Sequence, residues 1–478
     1  MEFTQPAQER ARTKIVATVG PACATVEQLG HLMAAGADVF RINTAHGNRD
    51  DYQRLLDNIR AASIRQERLI GVLADLAGPK IRLGTLLVDP LPCEEGAEFD
   101  FVRGTESTTA SELTSSYELL LDELDTGDRV LLADGTVSLL VIDKQPNRVR
   151  CRVTSPGEVR SRQGVNLPGV RLSVPSLSEK DRDNAEWAAR AGVDFVSLSF
   201  VRTAVEVREL SSILRKCGSP ALVIAKIEKP EALDNLDEIV AAAGGVMVAR
   251  GDLGVEIDVA QTPIAQKRII ETCTRHNKPV IVATQMLDSM QHSRRPTRAE
   301  ASDVANAILD GADACMLSGE TAIGDYPREA VEMMNRIMLA TEGLISARPA
   351  PLPSPNMSVH PITGAIVFGA ARIAERLKAK LVVVATRSGR TALAKAKLRA
   401  FTTTLGFSNR ESTLRQMTLF WGIEPVRGAP EVAGPELRQF AESWGRTHGL
   451  LSPGDRIVIV AGTGYSGAHN QLEVHEVR

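Results

Sequence analysis

The sequence predicts a (β/α)8 TIM barrel with an inserted all-β lid domain and a C-terminal α/β domain. Three observations lead there. Short apolar segments alternate with amphipathic helical stretches from Thr13 to about Thr341. The alternation is broken once, after the third apolar segment, by a stretch that reads as short strands and turns. A proline-rich stretch then precedes a last group of strand and helix patterns.

The apolar segments are KIVATV (Lys14–Val19), DVFRIN (Asp38–Asn43), LIGVLADL (Leu69–Leu76), DFVSLSF (Asp194–Phe200), ALVIAKIE (Ala221–Glu228), VMVAR (Val246–Arg250), PVIVATQ (Pro279–Gln285) and ACMLSG (Ala314–Gly319). They are nearly continuous Val/Ile/Leu/Ala runs, as expected of parallel strands covered on both faces. Between them, TVEQLGHLMAAG has helical apolar spacing and stops at Gly36. SEKDRDNAEWAARAG opens with the capping-box pattern Ser178-x-x-Asp181 and stops at Gly192. A doubly wound sheet is the alternative architecture; the count of eight favours the closed barrel.

The interruption contains GDRVLLADGTVSLLVI and NRVRCRV, which read as strands with Asp-Gly turns. An all-β domain from about Leu83 to Val165, at the top of the third strand, accounts for it. SARPAPLPSPNMSVHP reads as a linker, and KLVVVATRSGRTA with DRIVIVAGTG as a separate α/β domain. The expected domains are residues 1–83 and 166–345 for the barrel, 84–165 for the inserted domain and 346–478 for the C-terminal domain.

A chain of 478 residues, 43% hydrophobic, can bury several cores. A formal net charge of −3 gives no global attraction for nucleic acid or anionic membrane, so any anion site must be built locally. The six cysteines form no C-x-x-C pair and read as reduced thiols. The N-terminus lacks the apolar run of a signal peptide, and no stretch approaches a membrane span. A soluble cytoplasmic protein is expected.

In a (β/α)8 barrel, chemistry sits at the C-terminal ends of the strands. Here those ends carry Arg41 and Asn43, Asp75, Ser199, Lys226 and Glu228, Arg250-Gly251-Asp252, Thr284-Gln285, and Ser318-Gly319-Glu320. Strand ends meet polar loops, which explains one or two such residues. It explains poorly a lysine and two acids late in apolar runs, where unpaired burial is costly. Lys226 and Glu228 are two apart on a strand and face one side, either as a structural ion pair or as part of a site. Glu228 and Asp252, from neighbouring strands, suit Mg2+, which keeps waters and takes phosphate oxygens as further ligands. Gly251 permits close backbone approach to an anion, and Arg41 can clamp a phosphoryl group. These are the parts phosphoryl transfer needs.

Ordered along the chain are TKIVATVGPA, RINTAHG, DLAGPKIR, GVNLPGV followed by LSEKD, AKIEKPEALDNLDEI, MVARGDLGVEI, ATQMLDSM with RPTRAE, and MLSGETAIGDYP. Together these resemble the pyruvate kinase family over almost the whole chain. The resemblance implies transfer of a phosphoryl group from phosphoenolpyruvate to ADP, giving pyruvate and ATP, with a divalent cation, Mg2+ or Mn2+. It implies Lys226 as the main catalytic cation, Glu228 and Asp252 as metal ligands, and Gly251, Asp252 and Thr284 at the substrate carboxylate. Arg41 would bind the transferring phosphoryl, and Thr284 and Ser318 are candidates for the proton relay to enolpyruvate. Asn43, His46, Arg82 and Lys180 would face the nucleotide; an ordinary loop histidine is the alternative for His46. The inserted domain would close as a lid, and the assembly would be a homotetramer.

In the C-terminal domain the turn Thr386-Arg387-Ser388-Gly389-Arg390-Thr391 lies between a strand and a helix. The resemblance makes it the phosphate site of an allosteric sugar phosphate or nucleotide, with Gly462–Asn470 as a second effector loop. An ordinary Ser/Thr helix cap is the competing reading.

The chain departs from the family pattern at Ala45, Leu76, Ala77 and Lys80, all around the family's monovalent-cation site, and at Ser173 and Ile323. Asn43 and Asp75 remain there, but Ala45 and Leu76 supply no side-chain oxygen. The expectation is an enzyme that works without K+, with the Lys80 ammonium as substitute charge; a plain surface lysine is the alternative. Another phosphoenolpyruvate- or pyruvate-handling barrel enzyme fits less well, given the lid, Lys226 and the last domain. An inactive homologue should have lost Lys226 or a metal carboxylate, and neither is lost.

Overall fold

The computed structural model describes residues 10–133, 135–170, 172–346, 359–430, 434–462 and 471–478. Most of the proline-rich linker and of the loop Gly462–Asn470 therefore lies outside the described residues.

The expected strands form one closed parallel barrel. They are Lys14–Thr18, Val39–Asn43, Gly71–Asp75, Phe195–Leu198, Leu222–Ile227, Gly245–Ala249, Val280–Ala283 and Ala314–Leu317. Each pairs with its sequence neighbours in the barrel, and the eighth closes on the first through Lys14↔Ala314 and the following pairs. Both faces are buried, which is why the strands read as unbroken apolar runs. The doubly wound alternative is excluded by this closure.

The helices begin where their capping signals stand. Ser178 caps Glu179–Ala191 in a capping box with Asp181, and left-handed Gly192 ends it. Thr25 with Gln28 and Thr297 with Glu300 open Val26–Ala35 and Arg298–Asp310 in the same way.

The inserted region forms its own antiparallel-rich sheet and apolar core, centred on Phe101, Leu132, Leu139, Val141 and Cys151. Its two connections to the barrel run side by side at the root, where Arg82 bridges Gly164. The C-terminal domain is a five-stranded sheet, four strands parallel and Gln471–Glu476 antiparallel at the edge.

That domain packs against the N-terminal end of the barrel, opposite the catalytic end. Met417, Phe420, Trp421 and Ile423 share an apolar cluster with barrel-lining Val16, Leu73, Phe195 and Ile281. Aspartates that introduce strands supply ionic anchors: Arg415 Nε meets Asp194 Oδ1 at 2.7 Å, and Lys397 Nζ meets Asp313 Oδ2 at 2.5 Å. Gly71 makes the close approach possible, because a Cβ there would lie 2.6 Å from Thr418 Oγ1. All six cysteines are free thiols, and all but Cys217 are fully buried.

Candidate active site

The charged residues at the strand ends form a linked chain. Arg41, on the second strand, directs Nε and Nη2 at one oxygen of Asp75, 2.7 and 2.5 Å away, and Nη1 at Thr18 Oγ1, 3.1 Å away. The other Asp75 oxygen accepts the Ser197 hydroxyl and lies 3.7 Å from Lys226 Nζ. Lys226 Nζ donates to Ser199 Oγ at 2.8 Å and approaches Glu228 Oε1 at 2.9 Å. Glu228 Oε2 accepts the Phe200 N–H at 2.6 Å. Phe200 is left-handed, with φ 54°, a conformation a bulky residue adopts only when held there.

The electrostatics follow from burial and partners. Burial works against the Lys226 charge, but the Asp75 and Glu228 carboxylates outweigh it and hold the lysine above its ordinary value. Burial also opposes the Asp75 charge, and Lys226 with Arg41 overcomes it, so this carboxyl sits below the usual range. Glu228 moves the other way: burial pushes it up, and Asp252 adds to this against the opposing effect of Lys226. The Lys226 ammonium is the near partner of Glu228 Oε1, 2.9 Å away, and no other donor reaches that buried oxygen.

Asp252 stands in the first turn of the helix Arg250–Glu256, directly after the sixth strand. Two neighbouring acids, one of them buried and raised by burial and by the charge of the other, fit a divalent cation that would relieve their repulsion. Mg2+ takes one or two protein carboxylates and fills its other positions with water and substrate oxygens.

Thr284 and Gln285 are left-handed, with φ 68° and 53°, and the β-branched Thr284 is strained there. Arg250 fixes the turn by donating to the Thr284 carbonyl at 2.8 Å while pairing with Asp303 at 2.7 Å. The Thr284 hydroxyl accepts the Gly251 N–H at 2.7 Å, so the amide expected to meet an anion is engaged by a neighbour. Gly251, Asp252, Thr284, Ser318 and Lys80 line one cleft of about 880 Å3. Ser318 N–H donates to Glu320 at 2.7 Å.

The residues expected near the nucleotide lie around the opening. Asn43 Oδ1 accepts the Ala45 N–H at 3.1 Å, and His46 is exposed. Arg82 is exposed and donates to the Arg162 carbonyl at 3.1 Å, at the lid root. Lys180 is exposed on a helix whose Asp181 accepts the Gly78 N–H at 3.3 Å, which places this helix beside the loop bearing Lys80. Leu76 is buried in the barrel core.

Asp75, expected only as a remnant of a monovalent site with Asn43, is the anion between Arg41 and Lys226. Ser197 was not singled out in the sequence; the S-x-S alternation on an otherwise apolar strand is its signal. In the C-terminal domain, Gly389 is left-handed and precedes the helix Arg390–Lys397 without a side-chain cap. Its N–H donates to Thr386 Oγ1 at 3.2 Å. Arg387, Ser388 and Arg390 are exposed, whereas Thr386 and Thr391 are buried. The helix therefore does not start on a Ser/Thr cap.

A barrel whose strand ends present two cations and two neighbouring acids beneath an inserted domain has the architecture of a phosphotransferase. Residues 10–331 match the family model described as pyruvate kinase, barrel domain, and residues 364–475 match pyruvate kinase, alpha/beta domain. The chain is similar to a pyruvate kinase of Mycobacterium intracellulare, with 42% identity over 98% of both chains. It is similar to one of Geobacillus stearothermophilus, with 40% identity over 98% of this chain and 81% of that one. A crystal structure of a pyruvate kinase from Cryptosporidium parvum superposes with a TM-score of 0.89 at 32% identity, covering 98% of this chain and 96% of the other. The chain belongs to the pyruvate kinase family.

Proposed function

We propose that this enzyme transfers the phosphoryl group of phosphoenolpyruvate to ADP, and that Lys226 is its principal catalytic cation. The supporting observation is a part-buried ammonium held between Asp75 and Glu228 at the barrel mouth, 3.7 and 2.9 Å from their oxygens. The bond from phosphorus to the enol oxygen breaks as the bond to the ADP oxygen forms, leaving an enolate that takes a proton at carbon to give pyruvate. Lys226 and Arg41 place positive charge where phosphoryl and enolate charge develops. Glu228 and Asp252 hold the divalent cation, Mg2+ or Mn2+, which when bound adds further positive charge for the substrate oxygens. Gly251, Asp252 and Thr284 flank the substrate carboxylate, and Thr284 and Ser318 lie along the proton route. Asn43, His46, Arg82 and Lys180 receive the nucleotide. A coupled assay for pyruvate formed from phosphoenolpyruvate and ADP tests the reading; absence of turnover with Mg2+ and Mn2+ defeats it.

The enzyme works without K+, with Lys80 supplying the charge. The reading is supported by the position of Lys80 in the cleft with Asp252 and Ser318, and by the burial of Leu76 in the core. The turn Thr386–Thr391 binds the phosphate of an allosteric effector, a reading its exposed arginines and uncapped helix start support. Residues 1–83 with 166–345, 84–165 and 346–478 act as catalytic barrel, lid and regulatory domain of a cytoplasmic homotetramer. Among the described residues no helix is long and apolar enough to cross a membrane.

A further inference from the structure

Ser197 lies on the fourth barrel strand, directly opposite Asp75 of the third in the strand register. It is fully buried, and its hydroxyl donates to Asp75 Oδ1. Its carbonyl accepts the Leu76 N–H at 3.1 Å, so strand and acid are tied twice. A hydroxyl in such a place is costly unless paired, and the Asp75 carboxylate is its partner.

The two Asp75 oxygens are used differently. One is saturated by Arg41. The other faces Lys226, yet the ammonium stays 3.7 Å away while it sits 2.8 Å from Ser199 Oγ and 2.9 Å from Glu228. A buried carboxylate oxygen without another donor would draw the lysine into direct contact. The Ser197 hydroxyl occupies that oxygen instead.

We propose that Ser197 is a positioning residue for phosphoryl transfer: its hydroxyl fixes the Asp75 carboxylate so that it grips Arg41 yet leaves Lys226 free to turn to the substrate. The inference rests on Lys226 being the catalytic cation. Without the hydroxyl, Asp75 competes with the phosphoryl group for Lys226. Arg41 keeps its own oxygen, and Glu228 is untouched. The loss therefore falls on turnover rather than on substrate or metal affinity.

The test compares full-length parent, Ser197→Ala, Ser197→Thr and Lys226→Met for kcat, KM, Mg2+ activation and melting temperature. Loss of a hydrogen bond to a charged group should lower kcat of Ser197→Ala about tenfold or more, with KM for phosphoenolpyruvate and the Mg2+ midpoint each within about threefold. Ser197→Thr, which restores a hydroxyl with a β-branched side chain suited to a strand, should recover most of the rate. If the threonine variant does not fold, the alanine variant decides alone. An alanine variant with kcat within about twofold of the parent overturns the proposal, as does one whose loss lies wholly in KM. Normal turnover in Lys226→Met would instead overturn the underlying assignment of the lysine.

Discussion

Lys226 Nζ lies 2.9 Å from Glu228 Oε1, and no other donor reaches that oxygen. The ion pair and the hydrogen bond to Ser199 Oγ, 2.8 Å away, together aim the ammonium at the barrel mouth, where charge moves from phosphoryl to enolate. Lys226→Met should fold and lose turnover by at least about 10³-fold, the scale of a lost preorganised electrostatic contact. Phosphoenolpyruvate binding, measured by equilibrium titration, should suffer much less because Arg41 remains. Near-normal turnover would sink the assignment.

Asp252→Ala and Glu228→Ala should each raise the Mg2+ or Mn2+ needed for half-maximal rate by about tenfold or more. The measurement is a metal titration at saturating substrate, with direct metal binding to the free protein as a second readout. An Asp252→Ala enzyme that follows the parent curve would mean that the second ligand lies elsewhere.

Potassium independence predicts full activity in tetramethylammonium buffer. Adding KCl at constant ionic strength should change the rate little; a rise of about tenfold or more, the scale of a missing nearby charge, would defeat the prediction. Lys80→Glu should lower the potassium-free rate, and Ala45 and Leu76 leave no oxygens for added K+ to restore it.

The turn at Thr386–Thr391 is best tested at its exposed positions. Because Thr391 is buried, a charge there would disturb packing, whereas Ser388→Glu and Arg390→Glu add repulsion at the surface. These changes should abolish activation by any phosphorylated effector and leave the basal rate intact. A parent enzyme unresponsive to sugar phosphates and nucleotides would leave the turn without this role.

Lys395 is 2% exposed on the helix following that turn, and burial, with Arg12 adding repulsion, pulls it down to about 8 from 10.5. Between those values the unfolded chain binds the proton more tightly, so stability gains from this group as pH rises through the window. Below about pH 8 the buried charge opposes folding by about 3 kcal/mol. Lys395→Met should therefore raise the melting temperature at pH 7, and its advantage should shrink toward pH 10. An equal advantage at both pH values would show that the lysine is not buried as a titrating cation.

The barrel was legible because parallel strands covered on both sides leave long apolar runs, and because Lys226, Glu228 and Asp252 interrupt them at one end. What stayed hidden depends on partners far away in the chain. Ser197 looks neutral in sequence until Asp75 is seen opposite it. The left-handed backbones of Phe200 and Thr284 carry no glycine to announce them. Asp194 reads as a strand start and Asp313 stands just before one, and only the folded chain joins them to Arg415 and Lys397.

The bridge between Arg82 and Gly164 also bears on how the chain reaches its native state. The third and fourth barrel strands, Gly71–Asp75 and Phe195–Leu198, must pair across the whole inserted domain. Bringing distant segments together costs loop entropy and slows folding. An inserted domain that folds first on its own core delivers its two ends already side by side. The barrel then closes a short gap instead of a long one, and a change that unfolds the lid should slow barrel assembly as well as open the site to water.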